Sequence, residues 1–260
     1  MNNNASQLNS FPMVFIHGSF ANAKSWRRIV DFIKNTKTCV TVDLPGHGGQ
    51  QDPNDFDNPS LHPEFDTISS NITDHPECEK GIHLIGHSYG GVVALAAAMN
   101  LDIPVKKLTL FEPVDVRVLP VFAQTTAYEE VVQFVEEYRL AVKNNEKHAC
   151  SRVIDFWGGP GSYAAIPKFI QDTMEPMTPN NIRHWDICKS EAPVLEDYQK
   201  INFPVHLVHG SCSNPIAKLI SISLNENIPK SDLTVIQGAS HFMITTHVEK
   251  CVEILLSIEG

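Results

Sequence analysis

An apolar run leads into a serine between two glycines in Ile82-His83-Leu84-Ile85-Gly86-His87-Ser88-Tyr89-Gly90-Gly91. An alanine-rich segment, 92–99, follows directly. This order predicts a buried strand, a sharp turn at Ser88 and a helix, with Gly86 and Gly90 leaving room for the turn. The turn would lift the Ser88 hydroxyl above the sheet edge, close to the N–H groups at the helix start. Ser88 is therefore the candidate nucleophile.

On both sides of this motif, short apolar runs bounded by Gly, Pro and Asp alternate with longer helical stretches. The predicted strands are 13–16, 38–42, 82–85, 107–111, 205–208 and 233–236. The predicted helices are 24–35, 65–73, 90–100, 216–224 and 247–257. Apolar strands that alternate with helices are typical of an α/β fold with a doubly wound, mostly parallel sheet, here of about six strands.

The segment 114–202 interrupts this alternation, because it contains no run typical of a core strand. Its amphipathic pieces are 128–142, 149–156, 166–174 and 181–188. About ninety residues without secondary structure would be unusual inside a compact domain. We therefore predict a helical cap, or lid, at 114–202 and a core domain made of 1–113 and 203–260.

Three further segments carry a family resemblance: Met13-Val14-Phe15-Ile16-His17-Gly18, Val42-Asp43-Leu44-Pro45-Gly46-His47-Gly48 and Gly238-Ala239-Ser240-His241-Phe242. With the serine motif, they resemble the α/β-hydrolase superfamily, in its serine-nucleophile, esterase-like branch, over almost the whole chain. The family usually has two more strands before the His-Gly strand. The few residues before Met13 leave little room for them, so the resemblance implies a sheet shortened at its N-terminal edge.

The sequence has 12 histidines, so the catalytic base needs an argument. His241 follows the last predicted strand, on a turn before the final helix, where its imidazole would reach Ser88. The order nucleophile, acid, histidine is also the order of this fold. His247 is the alternative, and its position predicts a helix residue. His17 is expected to brace the loop that follows its own strand.

The catalytic acid is less direct to assign, because the family usually carries it shortly after the Gly that ends the strand following the cap. Here that segment is His209-Gly210-Ser211-Cys212-Ser213-Asn214-Pro215-Ile216-Ala217-Lys218, which contains no carboxylate. Glu112 ends the preceding sheet strand, a site that some family members use. We predict that Glu112 holds the His241 tautomer. Asp115 and a dyad without any carboxylate remain as alternatives.

The family's oxyanion hole uses two backbone N–H groups, and the resemblance assigns them to Ser19 and Tyr89. Because these donors belong to the backbone, the side chain of Ser19 is expected to matter little. Aromatic residues of the cap and of the His-Gly loop are candidates for an apolar substrate pocket. The pocket residues predicted here are Phe20, Trp157 and Trp185.

The composition and net charge of the chain disfavour some classes of binding partner. The chain has 260 residues, 42% hydrophobic and 19% charged, and a net charge of −10, which disfavours nucleic acid and anionic membranes. The six cysteines have no paired spacing, so neither a metal cluster nor a disulfide framework is predicted. No cofactor is predicted either. The polar residues 1–10 lack the features of an export signal, and no apolar run is long enough for a membrane span. We therefore expect a cytoplasmic protein with reduced thiols; the sequence does not indicate its oligomeric state.

These features predict a serine hydrolase acting on a small ester, with an apolar acyl group, through an acyl-enzyme. A lyase, an acyltransferase or a C–C hydrolase could use the same serine and histidine. A non-catalytic member that binds a ligand in the pocket is the third possibility, favoured by the missing carboxylate after Gly210. The segment Phe156-Trp157-Gly158-Gly159-Pro160-Gly161-Ser162-Tyr163 suggests no chemistry of its own.

Overall fold

The computed structural model describes residues 11–190 and 193–257. The segment 1–10, on which the prediction of no export signal depends, lies outside the described residues, as do both ends of the predicted core domain. The described strands are β1 (Met13–Ile16), β2 (Cys39–Val42), β3 (Ile82–His87), β4 (Val105–Phe111), β5 (Val205–Gly210) and β6 (Ser231–Ile236). They form one sheet of order β2-β1-β3-β4-β5-β6, and every neighbouring pair is parallel. The predicted α/β fold is therefore confirmed.

Twelve α-helices lie in the described residues. They are α1 (Arg27–Ile33), α2 (His62–Thr73), α3 (Tyr89–Asn100), α4 (Val118–Val121), α5 (Thr125–Lys143), α6 (Cys150–Gly158), α7 (Lys168–Met174), α8 (Thr178–Lys189), α9 (Leu195–Gln199), α10 (Pro215–Asn227), α11 (Met243–Thr246) and α12 (Val248–Ser257). Short 3-10 helices lie at Ala23–Trp26, Pro76–Lys80 and Glu175–Met177. The start of helix α10 is capped by Asn214, which accepts a hydrogen bond from Ile216 N, and Pro215 occupies the first turn.

Both faces of the sheet are covered, as the alternation of side chains along a strand requires. In β1, Met13 and Phe15 face a cluster formed with α1 and α12. Val14 and Ile16 face the opposite way, into a larger cluster with α2, α3, α10 and the segment after β4. The central strands are therefore buried on both sides, which explains their continuous apolar sequences.

No strand occurs in the described residues between 114 and 202, which contain helices α4 to α9. Because β4 and β5 are parallel neighbours, the same segment also has to return the chain from the carboxyl end of β4 to the start of β5. The boundaries of the cap, 114–202, and of the core, 1–113 and 203–260, stay a prediction.

The parallel arrangement brings the carboxyl ends of all six strands to one edge of the sheet. Ser88 follows β3, Glu112 follows β4, and His241 lies in the loop after β6. Ligands of open α/β sheets bind outside this edge. At the N-terminal side, β2 is the edge strand of the described sheet, and no described strand precedes β1.

Candidate active site

Ser88 lies in the tight turn between β3 and α3. Its backbone has φ 57° and ψ −126°, a conformation that a non-glycine residue adopts only when its surroundings enforce it. A Cβ atom at Gly86 would collide with the carbonyl of Gly90, and one at Gly90 with the carbonyl of Ile16. The glycines on either side of the serine are therefore required by close backbone approach.

His241 connects this serine to a carboxylate. Its Nε2 lies 3.0 Å from Ser88 Oγ, and its Nδ1 lies 2.7 Å from Glu112 Oε2. The His241 side chain is 4% exposed and that of Glu112 is fully buried. The three residues thus form a continuous chain of hydrogen bonds that is largely buried.

Glu112 is held by more than His241. Its Oε1 accepts hydrogen bonds from Gly210 N at 2.7 Å and from Ser213 Oγ. Burial raises the pKa of this carboxyl, but the hydrogen bond and charge of His241 and the bonds from Gly210 and Ser213 outweigh burial and leave the pKa below its usual value. The group is therefore an ionised acceptor for the His241 Nδ1–H.

The other acid candidates do not meet His241. Asp115 forms a two-bond ion pair with Arg117, with distances of 2.7 Å and 2.9 Å. Asn214 caps α10 and donates from Nδ2 to Phe156 O at 2.7 Å. Of the candidates for the acid position, only Glu112 lies within hydrogen-bond distance of the His241 ring.

Three other histidines, His17, His87 and His247, form hydrogen bonds that do not involve Ser88. His17 accepts from Leu44 N at 3.0 Å and lies 2.8 Å from Gly18 O, so it braces the loop as the sequence suggested. His87 donates from Nε2 to His241 O at 2.8 Å. Burial, followed by the neighbouring His241, lowers the pKa of His87 to about 3, so it stays neutral. The fallback base, His247, bonds instead to Thr246 Oγ1.

The two predicted oxyanion donors lie beside Ser88. A Cβ at Gly18 would be 2.8 Å from Ser88 Cβ, so the loop after β1 passes directly against the nucleophile. Within 11–190 and 193–257, neither Ser19 N nor Tyr89 N donates to a protein acceptor. Both amides therefore remain available to a ligand oxygen. Phe20, with φ 57°, makes the turn that follows.

Sequence reasoning missed His184. This residue lies on α8, and its Nδ1 is 2.7 Å from Ser19 Oγ. Its ring stacks on Tyr89, with centroids 3.7 Å apart and planes 10° from parallel. The hydrogen bond between Ser19 and His184 joins positions 165 residues apart. The only sequence signal for it is the helical spacing of Asn181, His184 and Cys188, which places these three residues on one face of α8.

Ser88 and His241 open into a cavity of about 870 Å³. All three predicted pocket residues line it: Phe20, Trp157 and Trp185. Trp157 stacks on His241, with centroids 5.8 Å apart, and Trp185 stacks on Trp157 at 6.0 Å. The rest of the wall is mainly apolar and includes Val153, Ile154, Ile166, Met174 and Phe242. The segment containing Trp157 thus forms part of the wall next to His241.

Two features are absent from the described ranges. No helix in those ranges is both long enough and apolar enough to cross a bilayer. In 11–190 and 193–257, no group of three or more His, Cys, Asp and Glu side chains is arranged to hold a metal ion. All six cysteines are free thiols.

The parallel α/β sheet carries a serine in a strained strand-to-helix turn, and a histidine connects this serine to a carboxylate. These features define the class of α/β-fold proteins with hydrolase-type sites. The model of the alpha/beta hydrolase family matches residues 13–254, and the chain belongs to that family. The family resemblance seen in the sequence is thereby confirmed.

Relatives include esterases and lipases. The chain is 24% identical over 243 residues to the pimeloyl-[acyl-carrier protein] methyl ester esterase of Neisseria meningitidis, covering 90% of this chain and 88% of that protein. It is 30% identical over 138 residues to the abhydrolase domain-containing protein abhd-5.2 of Caenorhabditis elegans; this match covers 51% of this chain and spans only 31% of that protein. The solved structure of the esterase EaEST from Exiguobacterium antarcticum superposes with a TM-score of 0.70 at 21% identity, over 97% of this chain and 93% of that one.

Proposed function

We propose that this protein is a serine hydrolase that cleaves a small carboxylic ester through an acyl-enzyme. The observation that carries the proposal is the position of His241 between two partners, 3.0 Å from Ser88 Oγ and 2.7 Å from Glu112 Oε2. A buried serine, an imidazole and an ionised carboxylate in series are what nucleophilic acyl transfer requires. The esterase named among its relatives supports the same reaction class.

In the first half-reaction, Ser88 Oγ attacks the ester carbonyl carbon while its proton passes to His241 Nε2. The negative charge that develops on the carbonyl oxygen is received by the N–H groups of Ser19 and Tyr89. Glu112 keeps the proton of the imidazole on Nδ1 and stabilises the imidazolium. When the C–O bond breaks, the imidazolium gives its proton to the departing alkoxide, which leaves as the alcohol.

In the second half-reaction, water enters the same position. His241 removes a proton from water, the resulting hydroxide attacks the acyl carbon, and Ser88 takes the proton back as it is released. The product is a carboxylic acid. We propose that the cap, 114–202, closes the cavity over the acyl group, which would be apolar because the wall consists largely of aliphatic and aromatic side chains. Cytoplasmic location and the absence of a nucleic-acid partner remain predictions.

The deciding experiment is labelling with a fluorophosphonate probe, read by intact-protein mass, together with turnover of p-nitrophenyl acetate, butyrate and octanoate. The wild-type protein should gain one label and hydrolyse at least one ester, whereas Ser88→Ala should do neither. A folded wild-type protein that is neither labelled nor active would favour the ligand-binding alternative. Labelling without net hydrolysis, but with transfer to an added alcohol, would favour an acyltransferase.

A further inference from the structure

The side chain of Ser19 occupies an unusual position, next to the amide that the proposed mechanism assigns to the oxyanion hole. Ser19 lines the cavity that contains Ser88. Its hydroxyl oxygen has one hydrogen-bond partner in the described parts of the chain, His184 Nδ1, at a distance of 2.7 Å. One residue therefore brings both a backbone N–H and a hydroxyl to the edge of the site.

The tautomer of His184 decides which way this bond runs. His184 Nε2 is buried and has no hydrogen-bond partner within 11–190 and 193–257. A buried N–H without an acceptor is rarer in proteins than a buried acceptor without a donor, so the proton belongs on Nδ1. His184 then donates to Ser19 Oγ, and the Ser19 O–H is left to point at another acceptor. Burial, and after it the charge of His47, lowers the pKa of His184 well below its usual value, so the ring stays neutral.

The position of His184 is fixed by the core rather than by the cap alone. Its ring lies flat against Tyr89, at 3.7 Å between centroids. The neighbouring Arg183 donates to Glu64 at 2.6 Å and 3.0 Å, and Tyr89 donates from its hydroxyl to the same carboxylate at 2.9 Å. Helix α8 is thus tied to the residue whose amide is the other proposed oxyanion donor.

We propose that the Ser19 hydroxyl is a third donor of the oxyanion hole, oriented by His184 from helix α8. This inference rests on the hydrolase function proposed above. A hydroxyl on the same residue as one backbone donor has the reach to meet the same ligand oxygen. As the ester carbonyl becomes an oxyanion its charge grows, so a hydrogen bond to it strengthens in the transition state. The contribution should therefore appear in kcat rather than in KM.

The main test compares Ser19→Ala with Ser19→Thr on the best p-nitrophenyl ester. Removing one oxyanion-hole donor typically costs on the order of a hundredfold or more in turnover, so Ser19→Ala should lose about a hundredfold in kcat with KM nearly unchanged. Ser19→Thr keeps a hydroxyl and should restore most of the loss. Binding of a trifluoromethyl ketone, which forms an oxyanion on Ser88, should weaken in Ser19→Ala by about the same factor as kcat.

The role of His184 is tested by a double-mutant cycle. His184→Phe keeps a ring against Tyr89 but cannot bond to Ser19, so it should lower kcat in the wild-type background and have little effect in Ser19→Ala. Equal effects in both backgrounds would show that His184 acts only through packing, and would overturn its orienting role. Thermal unfolding of each variant checks that the fold is kept.

The outcomes also separate the two proposals. If wild-type protein is labelled and active but Ser19→Ala keeps its kcat, only the third-donor inference is wrong. If Ser19→Ala raises KM and leaves kcat unchanged, the hydroxyl binds the substrate ground state, which also overturns the inference. If the wild-type protein is neither labelled nor active, the hydrolase function fails and the third-donor inference fails with it.

Discussion

Ser213 donates a hydrogen bond to Glu112, although the two residues lie 101 positions apart and follow different strands of the sheet, β5 and β4. Ser213 stands in the loop after β5, where most members of the family carry the acid. Here the loop supplies donors, from Ser213 Oγ and Gly210 N, to a carboxylate that comes from the end of β4. His241 therefore still has a buried, hydrogen-bonded carboxylate as its acceptor, and only the strand that provides this carboxylate differs.

The backbone of Glu112 reflects this arrangement. Its φ is 43°, a left-handed conformation that costs a residue with a side chain roughly 1–3 kcal/mol and persists only when the surroundings hold it. The amide of Glu112 is bonded to Val208 O at 2.9 Å, across the β4 and β5 pair. The strained turn directs the carboxylate toward His241 rather than toward solvent.

The first prediction is that Glu112→Gln keeps the fold and lowers kcat by about a thousandfold or more, as neutralising a triad carboxylate does. The amide can still bond to His241, but it does not select the same tautomer or stabilise an imidazolium. Steady-state kinetics on a p-nitrophenyl ester measure the loss. Ser213→Ala, which removes one donor and leaves the carboxylate, is the matched control and should lose far less. Equal activity of Glu112→Gln and wild type would make the site a dyad.

The second prediction concerns the coupling of Ser88 and His241. Each alanine variant should lose on the order of a million-fold in kcat, because neither residue works without the other. The double variant should be little worse than either single one. Single-turnover and steady-state assays on the three proteins give the comparison. Losses that multiply in the double variant would show that the two residues contribute independently.

The sequence was sufficient to predict the elements that are encoded within one continuous stretch. The Ser88 turn needs only a strand, two glycines and a helix in succession, and all of these are neighbours in the chain. Glu112 was predicted because it ends a sheet strand, a site that some family members use, and because the carboxyl ends of neighbouring parallel strands share an edge. The hydrogen bonds that Glu112 accepts from Gly210 and Ser213 could not be predicted. They depend on the path of the loop after β5 and on the left-handed φ of Glu112.

Contacts between the cap and the core could not be predicted from the sequence. Helix α8 was expected at 181–188, but nothing in its sequence indicates that Arg183 would meet Glu64, 119 residues earlier, or that His184 would stack on Tyr89. A polar residue on an amphipathic helix usually faces solvent, and only the packed structure identifies the face turned inward. The contact between Ser19 Oγ and His184 Nδ1 could not be predicted from the sequence for the same reason.

The third prediction concerns the buried ion pair between α8 and α2. Arg183 and Glu64 have fully buried side chains and lie 2.6 Å apart. Glu64→Gln should lower the free energy of unfolding by about 3–5 kcal/mol, because it leaves a buried guanidinium with less compensating charge. Urea denaturation measures the change. Glu146→Gln is the control, since its pair with Arg152 is about half exposed and should contribute little. Similar changes in both variants would contradict the anchoring role of Arg183 and Glu64.

The fourth prediction is a loss of stability in acid. Burial lowers the pKa of His17, His83 and His87 to about 3, whereas the unfolded chain has values near 6.5. Between these values the unfolded chain binds up to three more protons at these positions, so the free energy of unfolding should fall as pH decreases from about 6.5 toward 3. Replacing His83 by Gln should reduce the slope by about one proton, or about 1.4 kcal/mol per pH unit. Urea titrations at several pH values test this, and an unchanged slope would contradict it.

The last prediction concerns the size of the acyl group. Ile154, on α6, is 6% exposed and forms part of the apolar wall of the cavity that contains Ser88. Ile154→Trp would fill part of the space proposed for a long chain, while leaving the bonds among Ser88, His241 and Glu112 intact. We therefore expect kcat/KM to fall by about tenfold or more for the octanoate ester and to change little for the acetate ester. Leu140→Trp, at a position 57% exposed on α5, is the matched control and should change neither. Equal losses on both esters in Ile154→Trp would mean that the substitution disturbs the reacting groups, and that the acyl chain does not occupy this part of the cavity.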